Sequence, residues 1–65
     1  MKAKNARVGQ LLKTGWGYAT IVKFFAPSCI GCIIVWKSKD SYRAFKVGDW
    51  IYLRGLDLEE AEIIA

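Results

Sequence analysis

The two cysteines, Cys29 and Cys32, are the residues whose type and spacing point most directly to chemistry. Two intervening residues allow one thiolate to attack a substrate disulfide while the second thiol resolves the mixed disulfide. The same spacing supplies two of the four ligands of a tetrahedral zinc site. Because the sequence has no histidine and only these two cysteines, such a zinc site would need two chains. A redox pair, a shared zinc site and two small apolar side chains are therefore the alternatives.

The segment around these cysteines resembles the strand and active-site loop of thioredoxin-type oxidoreductases, whose signature is F-x-A-P-W-C-x-x-C. Here it reads Phe24-Phe25-Ala26-Pro27-Ser28-Cys29-Ile30-Gly31-Cys32. Ser28 replaces the tryptophan of that family, and Pro27 is the only proline, so the family's cis-proline loop is missing. Residues 32–36 are apolar and mostly β-branched where the family begins a helix. We therefore expect both thiols to lie in a β-hairpin, reduced in the cytoplasm.

The remaining polar residues do not form a recognisable catalytic set. The absence of histidine excludes proton shuttling by imidazole and leaves Ser28 and Ser41 without an activating base. The carboxylates between residues 57 and 62 crowd one helical turn, and the glycines of residues 15–17 lack the lysine and the strand-to-helix setting of a phosphate loop. The sequence predicts no enzyme activity, no cofactor and no metal site.

Charge is distributed unevenly along the chain. Residues 1–39 contain seven lysines and arginines and no acid, whereas residues 40–65 contain three cations and six acids. The formal net charge is +4. This asymmetry favours an anionic partner for the N-terminal part, or head-to-tail contact between copies of the chain.

The short length and apolar composition predict a small domain that has more apolar surface than its own core can bury. The 65 residues are 54% hydrophobic and 14% aromatic, which excludes a disordered chain. We predict a single domain over residues 7–65, preceded by a flexible basic arm at residues 1–6. A domain of this size buries only about 60% of its unfolded surface. Part of the apolar surface is therefore expected between subunits or against another protein.

Short apolar or alternating runs separated by turn residues predict a mainly β fold. A break at residues 14–17 precedes the longest β-favouring run, and Asp57 is the expected N-cap of one helical turn at residues 58–62. Residues 63 and 64 are expected to close the sheet. The predicted strands span residues 7–13, 18–25, 32–37, 42–47 and 50–54.

A membrane-spanning helix over residues 18–36 is the alternative interpretation of the most apolar stretch. Lys23 and Pro27 interrupt it, and a lysine at the centre of a span costs about 2.5 to 3.5 kcal/mol on insertion scales. We therefore predict a cytoplasmic protein without a transmembrane segment or membrane partner.

Residues 45–54 resemble the F-x-V-G-D-x-V-x-L-R strand opening of SH3-like barrels, among them KOW modules and the C-terminal domains of retroelement integrases. In this chain they read Phe45-Lys46-Val47-Gly48-Asp49-Trp50-Ile51-Tyr52-Leu53-Arg54. Residues 47–54, followed by residues 58–63, are similar to the closing segment of bacterial ferrous-iron-transport accessory proteins, which are also SH3-like. The resemblance covers about the last third of the chain and implies a five-stranded SH3-like barrel with a short helical turn near the C-terminus.

Alternation within residues 50–54 places Ile51 and Leu53 on one face and two aromatic rings with a cation on the other. Rings interleaved with cations form surfaces that bind single-stranded nucleic acid. The candidate nucleic-acid-binding residues are Lys13, Trp16, Tyr18, Lys37, Lys39, Trp50, Tyr52 and Arg54. The alternative is that the large rings fill the core or an interface between subunits. Nucleic-acid binding is thus the first hypothesis, a protein-interaction or homo-oligomeric assembly module the second, and a thiol redox protein the third.

Overall fold

The computed structural model describes residues 6–26, 28–40 and 43–65, and it confirms the mainly β fold class with one short helix near the C-terminus. The proposed arm falls almost entirely outside the described residues. In chain order the elements are β1 (Leu11–Lys13), β2 (Gly17–Ala26), β3 (Cys29–Lys37), β4 (Trp50–Arg54), α1 (Leu56–Glu60) and β5 (Glu62–Ile63).

The five strands form one antiparallel sheet in the order β4-β3-β2-β1-β5. The long β2–β3 hairpin is its centre, and the flanking strands cover opposite ends of it. Strand β1 pairs with the start of β2, where Lys13 is opposite Tyr18. Strand β4 pairs with the part of β3 nearest the hairpin turn, where Arg54 is opposite Cys29. Register shifts at three places in the β2–β3 pairing allow the hairpin to bend around a core.

The core lies on the inner face of this bent hairpin. A cross-strand row at its centre joins Phe24, Ile30 and Leu53 across β2, β3 and β4. Strand alternation places every second residue of β3 in the core. The buried apolar residues are Ala6, Leu12, Trp16, Ala19, Ile21, Ile30, Cys32, Ile34, Leu53, Leu58 and Ala61.

Residues 14–16 separate β1 from β2, so the predicted break at residues 14–17 is present except that Gly17 is already the first residue of β2. The Thr14 hydroxyl accepts hydrogen bonds from the backbone N–H groups of Trp16 and Gly17, at 3.3 and 3.1 Å. The Thr14 N–H in turn donates to the Gly17 carbonyl at 2.8 Å. This closed turn holds the Trp16 ring inward, where it meets Phe45 edge-on with ring centroids 4.6 Å apart.

Strand β1 begins later than predicted because residues 7–10 form a turn. The Gln10 N–H donates to the Arg7 carbonyl at 3.2 Å, and Gly9 takes a φ of +93°, a conformation that suits glycine. The predicted strand at residues 7–13 is therefore shortened to Leu11–Lys13. Strand β3 is longer than predicted, because pairing with β2 and β4 continues back to Cys29.

The predicted strand at residues 42–47 is wrong for residues 43–47; Tyr42 lies outside the described residues. Residues 43–46 have no regular structure and residues 47–48 form a turn. The turn is held by two hydrogen bonds, from the Lys46 N–H to the Asp49 carboxylate at 2.8 Å and from the Asp49 N–H to the Lys46 carbonyl at 3.0 Å. The fifth strand is β5 instead.

Helix α1 begins two residues earlier than predicted. Its N-cap is Gly55, with φ +63°, and no side chain caps it. Asp57 is therefore not the N-cap but lies inside the first turn, where a carboxylate is favourable. It forms a 2.8 Å ion pair with Arg43, which ties the helix to the loop before β4.

Residues 18–36, considered above as a helical membrane span, belong mostly to β2 and β3. Nowhere in the described part of the chain does a helix have the length and apolar character needed to cross a membrane.

Candidate nucleic-acid interface

Strand β4 has the two faces that its alternation predicts. Leu53 is buried and Ile51 is partly buried against the core. Trp50 and Tyr52 point the other way, with 42% and 56% of their surface exposed, and Arg54 is exposed on the same face. The two rings are therefore available for contact with a ligand.

A third ring, Phe25 of β2, joins this pair across the sheet and is itself 46% exposed. Its centroid lies 5.6 Å from that of Trp50 and 5.3 Å from that of Tyr52. The Trp50 and Tyr52 centroids are 4.8 Å apart, with an interplanar angle of 89°. We call Phe25, Trp50 and Tyr52 the outer aromatic cluster. Edge contacts between aromatic rings contribute about 0.5 to 1.5 kcal/mol per pair beyond the area they bury.

The rings of the outer aromatic cluster pack on Gly31. It lies in β3 between Lys23 of β2 and Tyr52 of β4 in the register. A Cβ atom at this position would be 2.6 Å from Trp50 Cζ2 and 2.9 Å from Phe25 Cε2. The two rings therefore occupy the space that any other residue would fill, and they pack directly on the β3 backbone.

The charged residues within the three strands that carry the cluster are cations. Lys23 Nζ lies 5.2 Å from the Phe25 ring centroid, within the range of a cation–π contact, and Arg54 ends β4. Together β2, β3 and β4 contain three charged residues, Lys23, Lys37 and Arg54, and no carboxylate. A surface with this charge pattern attracts anions.

Two more rings meet at the other end of the hairpin. Tyr18 and Trp36 are register partners, their centroids are 5.7 Å apart, and Trp36 is 51% exposed. We call these two residues the distal ring pair. Lys13 of β1 is the next residue across the sheet, and Glu62 of β5 follows it. This end therefore combines rings with one cation and one carboxylate.

The structure places the predicted nucleic-acid-binding residues in separate places. Trp50, Tyr52 and Arg54 lie together, and Lys13 and Tyr18 lie together at the opposite end of the hairpin. Four further residues lie at these two groups of rings and are not among the predicted set: Lys23, Phe25, Gly31 and Trp36. The spacing of Lys23 and Phe25, two residues apart in a β-favouring run, was the available signal that they share a face.

Three other predicted residues lie outside both groups of rings. Trp16 is 5% exposed and contributes to the core, so its ring cannot stack on a base while the protein remains folded. Lys37 donates a hydrogen bond from Nζ to the Arg43 carbonyl and lies 5.6 Å from the Phe45 ring. Lys39 is exposed in the turn after β3.

Both cysteines lie in the β2–β3 hairpin, as the sequence predicts, and both are free. Cys29 lies within β3 itself, which begins three residues earlier than the predicted strand. Their neighbours show that they face opposite ways, because Cys32 is in the core while Cys29 shares the parity of Gly31. Three residues of extended strand separate their Cα atoms by about 10 Å, more than the roughly 7 Å that a disulfide spans. This geometry does not favour a redox pair.

Burial raises the pKa of the Cys32 thiol to about 11, which keeps it protonated and unreactive at neutral pH. Within residues 6–26, 28–40 and 43–65, no group of three or more cysteine and carboxylate side chains is arranged to hold a metal ion.

A polar cleft of about 360 Å³ lies away from the outer aromatic cluster. The Arg43–Asp57 ion pair forms part of its wall. It contains three carboxylates and one guanidinium, so it lacks the uniform positive charge of the strands described above. The lining residues are Gly15, Trp16, Ser38, Asp40, Arg43, Asp57 and Glu60.

Comparisons of this chain with protein-family models, with curated proteins and with solved structures found no match. The assignment of the candidate interface therefore depends on its geometry alone.

Proposed function

We propose that this protein is a non-enzymatic binding module for single-stranded nucleic acid. The observation that carries the proposal is the outer aromatic cluster, three half-exposed rings on strands that contain cations and no carboxylate. Stacking of one base on an exposed ring contributes about 1 to 3 kcal/mol, while nearby cations contact the phosphates. The rings can therefore bind the base of a nucleotide while the cations on the same surface bind its phosphate.

The orientation of the rings favours a single strand over a duplex. Trp50 and Tyr52 are perpendicular to one another, so one flat base cannot stack on both. Two bases that are free to turn can stack on one ring each. Bases within a duplex are already stacked on their neighbours and would first have to be extruded, which costs a few kcal/mol.

The SH3-like architecture implied by the sequence resemblance is part of this proposal. It is supported by the position of β5 beside β1, at the far side of the sheet from β4, and by the short helix between β4 and β5. Small barrels of related design present their strands to single-stranded ligands. We assign the module to the cytoplasm, in agreement with two cysteines that are not paired with each other.

A second candidate function is assembly, either with another protein or with further copies of the chain. It is favoured by three exposed aliphatic side chains in the middle of the hairpin, Val22, Ile33 and Val35. Exposed apolar surface on neighbouring strands often marks a protein interface. Assembly through it predicts a solution mass above the 7.3 kDa of one chain that persists at high salt, because apolar burial is not screened.

The test is the affinity of the protein for a labelled mixed-sequence single strand, measured by fluorescence anisotropy between about 50 and 200 mM salt. We expect log K to fall linearly with log[salt]. Lys23→Ala and Arg54→Ala should each reduce the slope by about 0.7, the value for one phosphate contact on a single strand. Lys46→Ala removes an exposed lysine outside the three strands and should leave the slope unchanged.

Absence of binding at the lowest salt would exclude the nucleic-acid function. A light-scattering mass above that of one chain, in the absence of oligonucleotide and at high salt, would then support assembly. Equal slopes for Lys46→Ala and Lys23→Ala would show that binding is not localised to the proposed surface.

A further inference from the structure

The distal ring pair and the outer aromatic cluster lie on the same face of the β2–β3 hairpin. Tyr18 precedes the buried Ala19 and therefore points away from the core. A register shift between Tyr18 and Ala19 brings Trp36 opposite Tyr18, and the Trp36 ring is 51% exposed and contacts the Tyr18 ring. Gly31 is likewise flanked in β3 by buried residues. The outer face of the hairpin thus has a group of rings at each end.

We infer that a single strand runs lengthwise along this outer face and stacks on the distal ring pair as well as on the outer aromatic cluster. The inference rests on the proposed function and adds a second stacking site, a direction for the ligand and a minimum ligand length. It assigns a binding role to Trp36, which composition and alternation alone did not single out.

Cations accompany both groups of rings. Lys23 lies against Phe25 at one end, and Lys13 is the register neighbour of Tyr18 at the other. Glu62 is opposite Lys13 on β5 and offsets part of its charge. The distal site is therefore expected to be the weaker of the two, so that a short strand occupies the outer aromatic cluster first.

The separation of the two sites sets the length of the ligand. Tyr18 and Phe25 are seven residues apart in β2, which is at most about 23 Å in an extended strand. A stacked single strand rises about 3.4 Å per nucleotide, so it needs about seven nucleotides to reach both sites, and a stretched strand needs fewer. This length is within the range of about 4 to 16 nucleotides bound by small barrels.

The test compares oligothymidylates of about three and about twelve nucleotides, which are shorter and longer than this span. Their affinities are measured by anisotropy for the full chain and for Trp36→Ala and Trp50→Ala. Loss of one stacked base weakens binding by about 5-fold to 150-fold. We expect Trp50→Ala to weaken both ligands, and Trp36→Ala to weaken the long one alone. Unchanged binding of the short ligand also shows that Trp36→Ala is folded.

Three results would overturn the inference. If Trp36→Ala binds the long ligand as tightly as the unmodified chain while Trp50→Ala does not, the second stacking site is wrong and the proposed function stands. If neither ligand binds the unmodified chain, the proposed function fails and the inference fails with it. A long ligand that binds more tightly only through recruitment of a second copy, seen as a doubled mass by light scattering, would also exclude a path along one hairpin.

Discussion

Two pairs of rings in this protein have nearly the same geometry and different surroundings. Trp16 and Phe45 meet edge-on with centroids 4.6 Å apart, and Trp50 and Tyr52 do so at 4.8 Å. Trp16 is 5% exposed and is held inward by the Thr14 turn, whereas Trp50 is 42% exposed. Ring contacts alone therefore do not distinguish a structural pair from a binding pair. Burial and neighbouring charge distinguish them.

The largest expected effect of a substitution is on the buried side of this comparison. Trp16→Ala should lower the free energy of unfolding by about 3 to 5 kcal/mol, because it removes a large buried ring and leaves a cavity. A domain of this size has only about 3 to 10 kcal/mol of stability, so much of the protein would unfold. Urea unfolding followed by circular dichroism measures the loss. Trp36→Ala, which removes an exposed ring, is the matched control, and an equal loss in both variants would contradict the assignment of Trp16 to the core.

Trp50→Ala should mainly weaken ligand binding, whereas Trp16→Ala should mainly weaken the fold. We expect the binding free energy for a single strand to weaken by about 1 to 3 kcal/mol, because one stacking partner is lost. The free energy of unfolding should fall less than in Trp16→Ala, because the Trp50 ring is 42% exposed, although its two ring contacts each contribute about 0.5 to 1.5 kcal/mol beyond the area they bury. Anisotropy and urea unfolding on the same preparation separate the two quantities. A large loss of stability with unchanged affinity would mean that Trp50 is structural.

Gly31→Ala changes the orientation of the exposed rings without removing any of them. The added Cβ would lie within 3 Å of Trp50 and Phe25, so both rings must move off the β3 backbone. We expect an affinity loss of about 1 kcal/mol, smaller than that of Trp50→Ala. Gly15→Ala is the control, because its Cβ would meet only Glu60 Oε2 at 3.7 Å. Equal affinities of the two variants would show that ring orientation is unimportant.

The two thiols also differ in burial, and substituting them is expected to change stability less than substituting the rings. Burial raises the pKa of the Cys32 thiol to about 11, so the native state keeps its proton at a pH where the unfolded chain, with a cysteine pKa of about 8.5, releases it. The associated stability is complete below about pH 8.5 and is lost as the pH rises towards 11. Urea unfolding between these pH values should show a steeper decline for the unmodified chain than for Cys32→Ala. Cys29→Ala keeps the buried thiol and should decline like the unmodified chain.

Alternation made strand β4 predictable, and its bounds match the sequence prediction at both ends. The turn that follows β1 was predictable from its glycines. The inward position of Trp16 was not, because a residue in a turn has no periodicity that assigns it to a face. Its direction depends on hydrogen bonds to the Thr14 hydroxyl.

The outer aromatic cluster was predictable only in part, because a register shift between Ile21 and Lys23 places Lys23 and Phe25 on the face opposite to that of the buried Ile21. A single sequence does not show where such a shift occurs, and one shifted residue changes the face of those that follow. The wrong strand at residues 42–47 has a similar cause. The β-favouring side chains of Phe45 and Val47 lie in a loop and turn held by local hydrogen bonds, which outweigh a weak preference for strand.

The most direct measurement follows the indole N–H resonances of the three tryptophans by NMR while a single-stranded oligonucleotide is added at low salt. The Trp50 resonance should shift progressively to saturation, and the Trp16 resonance should remain in place because its ring is in the core. Saturation of the protein with no movement of Trp50, or with movement confined to Trp16, would show that the ligand binds elsewhere or requires the core to open.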